Sequence, residues 1–203
     1  MDAKLEKLTL QLRAGDQSAL GPAFEMFRQR LRSVIRLRLN DRLRQREDES
    51  DILQEAYVAA AGDLPRYATK PKVPIYIWVR GIVNQRLVDA QRKHLSSQKR
   101  TVDREVSIHN SPYPVSDSSM VANQIVADLT SPSITASNRE LQQILQTVLE
   151  QLEPIDQEII ALRHIEGLKS SEVAALLEIN QSTASTRYLR ALNKLKDGLA
   201  NTI

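Results

Sequence analysis

Apolar residues return every three or four positions along most of this 203-residue chain, the spacing that lines one face of an α-helix. Leu5, Leu8 and Leu12 form the first such stripe, Phe24, Phe27 and Leu31 the second, and Ile52, Leu53, Ala56 and Tyr57 the third. Gly15 breaks the first stripe, and Asp16 just after it predicts a new helix start near residues 17–20. Pro65, Pro71 and Pro74 predict an irregular loop, followed by a helix from about Ile75. No segment sustains the two-residue alternation of a strand.

The periodicity lapses over residues 96–137, where Ser, Asn and Pro accumulate. That composition reads as a tether holding at most one short helix, near Met120 to Leu129; a regulatory segment is the alternative. The stripe then returns as Leu141, Ile144, Leu145, Val148, Leu149 and Leu152, and Pro154 opens a further helix that stops at Gly167. The expected fold is all-α: two small helical domains, residues 1–95 and 138–203, joined by a long flexible linker over 96–137.

Near the C-terminus the stretch KSSEVAALLEINQSTASTRYLRALNKLK holds two helical patterns separated by EIN, with neither Gly nor Pro at the break. Val173, Ala174, Leu176 and Leu177 make the apolar face of the first pattern; Ala184, Tyr188, Ala191 and Leu195 make that of the second. Ile179 between them is placed to plug the angle of two crossing helices, and Asn180 to cap the second. A helix-turn-helix is therefore expected. Its outward face would carry Ser182, Ser185, Thr186, Arg187, Arg190 and Lys194, hydroxyls and cations suited to phosphates and base edges near a helix N-terminus. An ordinary solvated helix face is the plain alternative.

Charge changes this picture only through its distribution. Lys and Arg number 28 against 25 Asp and Glu, a net +3, which says little about nucleic acid. Arg residues at 28, 30, 32, 36, 38, 42, 44 and 46, with Asp41 the single acid among them, make the strongest local asymmetry. The helix IYIWVRGIVNQRLVDAQRKHL adds Arg80, Arg86, Arg92 and Lys93, and with Tyr67 and Tyr76 nearby it could hold unpaired bases; Trp78 as a core anchor is the competing reading. Asp51, Gln54 and Glu55, three and four residues apart, share one helical face that suits a protein partner better than acid/base chemistry.

The absence of cysteine excludes disulfides and thiolate metal sites, and the three histidines are scattered. Neither a metal nor a cofactor is expected. The N-terminus lacks a signal-peptide core, and no run approaches the roughly 20 apolar residues of a membrane helix, so a cytoplasmic location without membrane insertion is expected.

Taken together, these motifs resemble the extracytoplasmic-function (group IV) sigma factors of bacterial RNA polymerase. RAGDQSALGPAFEMFRQRLR and DILQEAYVAA are similar to their region 2, WVRGIVNQRLVDAQRK to the helix that reads and opens the minus 10 element, and LEPIDQEIIALRHIEGLKSSEVAALLEINQSTASTRYLRALNKLK to region 4. The resemblance implies a non-enzymatic initiation factor that needs no cofactor. Asp51, Gln54 and Glu55 would dock on core RNA polymerase, at its clamp, with a second contact to its flap. The loop from Gly62 to Pro74, with Tyr67, would take an extruded base, and Trp78, Arg80, Asp89, Arg92 and Lys93 would shape the minus 10 contact. Ser182, Thr183, Ser185, Thr186, Arg187 and Arg190 would face the minus 35 element of promoter DNA, and an anti-sigma factor is a further expected partner.

The chain departs from the family pattern at Glu178, where Gly is usual, at Ser182 and at Ala184. A non-Gly residue at a turn position of positive φ costs about 1 kcal/mol. Two other readings stand beside the sigma factor: a helix-turn-helix regulator independent of polymerase, and a degenerate sigma-like interaction protein.

Overall fold

The computed structural model describes residues 3–39, 47–69, 73–98, 116–129 and 135–200. Among these residues there are helices and no strands, and the chain divides into two compact units, Met1–Pro114 and Val115–Ile203.

The first unit contains α1 (Ala3–Arg13), a 3-10 turn (Gln17–Ala19), α2 (Leu20–Arg38), α3 (Glu49–Thr69) and α4 (Ile75–Gln98). Gly15 turns the chain after α1 at φ 78°, and Asp16 starts the next segment by accepting from Ser18 N at 3.0 Å and Ser18 Oγ at 2.6 Å. Those bonds hold the Asp16 carboxyl below its ordinary range. Helices α2, α3 and α4 pack on one another. Leu31 and Ile35 of α2, Ile52 and Ala56 of α3, and Val79 and Leu87 of α4 are all buried, so the apolar stripes do face one core.

The loop expected from Gly62 to Pro74 is shorter than the prolines suggested. Helix α3 runs through Pro65 to Thr69. A helix-interior Pro loses one hydrogen bond and crowds the carbonyl four residues back. Burial of Leu64 and Tyr67 on either side of it supplies the compensating packing.

The second unit contains α5 (Ser118–Leu129), α6 (Thr135–Glu150), α7 (Pro154–Ile160), a π-helical turn (Ala161–Ile165), α8 (Ser170–Leu177) and α9 (Gln181–Ala200). Helix α5 is the short helix expected near Met120 to Leu129, but it belongs to the second unit and not to a tether. It packs on α6, burying Val121, Ala122, Ile125 and Val126. Ser116 Oγ donates to Glu158 Oε2 at 2.8 Å, and Ser118 Oγ to Glu150 Oε1 at 3.2 Å. The folded second unit thus begins ahead of residue 138, while residues 99–115 and 130–134 of the expected tether lie outside the described residues.

Candidate nucleic-acid interface

Helix α8 ends at Leu177, and Glu178 stands in the left-handed region at φ 55°, ψ 38°. It is the one non-glycine residue with positive φ among the described residues. Ile179 N closes the turn on Ala174 O at 3.0 Å, and Ala184 N bonds Asn180 O at 2.9 Å to begin α9. This is a helix-turn-helix made without glycine.

On α9, Ala184, Ala191 and Leu195 are buried against the rest of the unit. Ser182, Thr183, Thr186 and Arg190 are exposed, and Ser185 is half-buried. Arg187 points elsewhere. Its Nη1 donates to Asp156 Oδ1 at 2.7 Å and to Glu153 Oε2 at 2.9 Å, both at the start of α7. The pairing raises the Arg187 guanidinium above its ordinary value, Asp156 contributing most, and the Arg187 hydrogen bond holds the Glu153 carboxyl low. On the other side, the Arg163 guanidinium lies 5.1 Å from the Tyr188 ring centroid and donates to Leu168 O at 2.6 Å. The π turn, in which Glu166 N reaches back to Ala161 O, lies where Arg163 makes both contacts.

Sequence reasoning missed three residues here. Asp156 and Glu153 hold Arg187 across some thirty positions of chain, a separation that no helical period reports. Leu189 is 61% exposed on α9. Its spacing of seven from Ser182 and three from Thr186 was the available signal that it shares their face.

In the first unit, Asp51, Gln54 and Glu55 are all exposed on α3, beside Val58, which is also exposed. Next to them α2 and α3 enclose an open groove of about 440 Å³ lined by Phe24, Leu53, Gln54 and Tyr57, with Arg28 and Arg32 at its edge. Phe24 and Tyr57 meet edge to face at 5.2 Å.

The residues expected to form the minus 10 contact are not brought together on one surface. Tyr67, Trp78 and Arg80 are buried. The Tyr67 and Trp78 rings stack on each other at 4.2 Å, Tyr67 Oη donates to Val73 O at 3.0 Å, and Trp78 Nε1 donates to Asp63 Oδ2 at 2.8 Å. Burial pushes the Tyr67 phenol up. The physical reason is the extra length of α3, which lays Tyr67 against α4 and makes both rings into packing. Asp89 is engaged locally, with Arg86 at 2.9 Å and Gln85 at 3.0 Å. Arg92 and Lys93 are exposed.

The basic run is also largely engaged. Arg28 pairs with Glu25 at 3.0 Å and Arg36 with Glu49 at 3.0 Å. The Arg30 guanidinium lies 3.7 Å from the Tyr76 ring centroid, and Arg38 is buried. Arg42, Arg44 and Arg46 lie outside the described residues. No group of His, Cys, Asp and Glu among the described residues could hold a metal ion.

A helical chain whose second unit presents a helix-turn-helix and whose first presents an exposed acid–amide face has the construction of a two-domain transcription initiation factor. Residues 2–201 match the family described as ECF sigma factor, and the chain belongs to that family. It is 26% identical over 194 residues to the ECF RNA polymerase sigma factor SigD of Mycobacterium bovis, covering 96% of this chain and 83% of that protein. The same figures hold for SigD of Mycobacterium tuberculosis. In fold it is similar to CnrH, solved in complex with the cytosolic domain of CnrY, with a TM-score of 0.56, 21% identity and 98% of each chain covered. The chain is accordingly an RNA polymerase sigma factor and not an enzyme. No helix among the described residues is long and apolar enough to cross a membrane.

Proposed function

We propose that this sigma factor docks on core RNA polymerase through the α3 face of Asp51, Gln54 and Glu55, and reads two promoter elements with its two units. Helix α9 meets the minus 35 element through Ser182, Thr183, Thr186 and Arg190, with Leu189 available to a thymine methyl. The first unit meets the minus 10 element through the exposed Arg92 and Lys93 of α4, while Tyr67, Trp78 and Arg80 shape that surface from within. The single observation that carries the reading is the exposed hydroxyl-and-cation face of α9, held out by a glycine-free turn.

A flap contact by the second unit and a cytoplasmic location complete the proposal. An anti-sigma partner belongs to it as well, supported by the relative CnrH having been captured with the cytosolic domain of CnrY.

The test is to mix the full chain with core polymerase. Co-elution and runoff transcription from specific starts, whose promoter is then mapped, are expected. Tight sequence-selective binding to DNA by the chain alone, without core enzyme, would instead favour a polymerase-independent regulator. Co-elution without initiation would favour a sigma-like interaction protein.

A further inference from the structure

We infer that Arg187 is a positioning residue and not a DNA contact: its clamp on Asp156 and Glu153 sets the direction in which α9 is presented to the promoter. This rests on the sigma-factor reading of α9. Sequence spacing alone places Arg187 among the DNA-facing residues. The geometry commits its Nη1 to two carboxylates of the same unit.

Asp156 is only 1% exposed and its carboxylate takes the Arg187 Nη1 at 2.7 Å, whereas Glu153 is 60% exposed and shares the same nitrogen at 2.9 Å. Both acids occupy the cap and first turn of α7, where the free N–H groups favour negative charge. If Arg187 swung out to a phosphate it would leave a carboxylate with almost no access to water and without its cation, an arrangement strongly disfavoured in a protein interior. Exchanging that pair for a contact to a hydrated phosphate offers little in return.

The neighbouring residue is committed as well. Tyr188 lies by the Arg163 guanidinium, and Arg163 is itself tied to the loop before α8. Arg187 and Tyr188 thus bind α9 to two different segments, α7 and the π turn, just beyond the short hydroxyl residues that would meet DNA. Two attachments on different sides of one helix fix its rotation as well as its tilt. A reading helix needs both fixed, because base edges are recognised only when side chains arrive in register.

The experiment assembles holoenzyme from the full chain and core polymerase, and measures binding to a duplex carrying the promoter mapped from runoff starts, across a salt series. Arg187→Gln and Asp156→Asn are each expected to weaken binding, by roughly tenfold, with the double variant no weaker than either single one. The salt slope should stay at the wild-type value, because no phosphate contact is lost. Arg190→Gln serves as the contrast, expected to lower the slope by about one counterion. Arg187→Lys, which keeps the charge, should recover part of the loss. A merely structural role would lower affinity only near the unfolding transition, so binding is read well below the melting temperature of each variant.

Should Asp156→Asn fail to fold, Glu153→Gln, altering the exposed partner, takes its place, with a smaller loss and an unchanged slope expected. A slope reduced by Arg187→Gln, or unchanged affinity in both Asp156→Asn and Glu153→Gln, overturns the inference. A thermal-unfolding double-variant cycle on the free chain separates the two readings. Coupling between positions 156 and 187 in a chain whose holoenzyme does not initiate would sink the function and leave the clamp standing; absence of coupling would sink the clamp alone.

Discussion

Glu178 carries two separable effects at one position. Its φ of 55° puts a β-carbon in the left-handed region, costing about 1 kcal/mol, and its exposed carboxylate flanks the start of α9. Glu178→Gly removes both strain and charge, and after the entropy lost by a glycine is counted it should stabilise the chain by about 0.5 kcal/mol. Glu178→Gln removes only the charge, so its melting temperature should stay near wild type. Both variants should bind promoter duplex more tightly as holoenzyme, the more so at low salt. A thermal melt and a salt series on the pair decide the matter; equal melting temperatures for Gly and Gln would mean that the turn is not strained. The turn itself could be read in the chain, because two apolar stripes with different phases leave only EIN between them. The inward Arg187 could not, because helical spacing places it with the outward residues although it lies three positions from the buried Ala184. Only the tertiary neighbour Asp156 turns it inward.

Elements were readable wherever a stripe of apolar side chains ran for several turns, as in α2, α6 and α9. They were not where local chemistry and packing disagreed. Pro65 argues for a loop, and the burial of Leu64 and Tyr67 overrules it; the short helix near Met120 to Leu129 was legible, but Ser-rich composition assigned it to a tether, whereas Val121, Ala122, Ile125 and Val126 give α5 one face to bury on α6. The minus 10 set suffers from the same limit: an aromatic residue that could stack on a base could equally stack on another aromatic, and Tyr67 and Trp78 do the latter. Two glycines inside helices test the packing directly. A Cβ on Gly62 of α3 meets nothing within 4 Å, whereas one on Gly198 of α9 would come within 2.5 Å of Val148 Cγ2 on α6. Val148 is β-branched and has little rotamer freedom in a helix. Gly62→Ala should therefore gain about 0.5–1 kcal/mol from helix propensity. Gly198→Ala should lose stability, because overpacking of about 1–3 kcal/mol outweighs the same gain. Denaturant titration of both variants checks the opposite signs, and a stabilised Gly198→Ala would show that α6 and α9 have room to separate.

At the scale of the whole chain, a net charge of only +3 gives either unit little general attraction to DNA. Among the described residues, Arg28, Arg32 and Arg36 of the basic run pair with acids of the first unit and Arg187 with acids of the second, which draws part of the positive charge away from phosphate. Two weak readers still achieve promoter selection if both are carried on one polymerase, since binding by the first raises the effective concentration of the second to about the millimolar range. The covalent connection between the units should then matter even if every side-chain contact survives. A protease site introduced within residues 100–114, in the chain between the end of α4 at Gln98 and the start of α5 at Ser118, allows the assembled holoenzyme to be cut. Cleavage should leave the circular-dichroism signal of both units intact, because each has its own core, while affinity for the mapped promoter duplex falls by roughly a hundredfold or more. Loss of the second unit from polymerase on gel filtration would accompany that fall if its own hold on the enzyme is weak. If cleaved holoenzyme keeps full affinity, the second unit must be retained by polymerase without the tether, and its contact with the enzyme would then be far stronger than the exposed surfaces of either unit suggest.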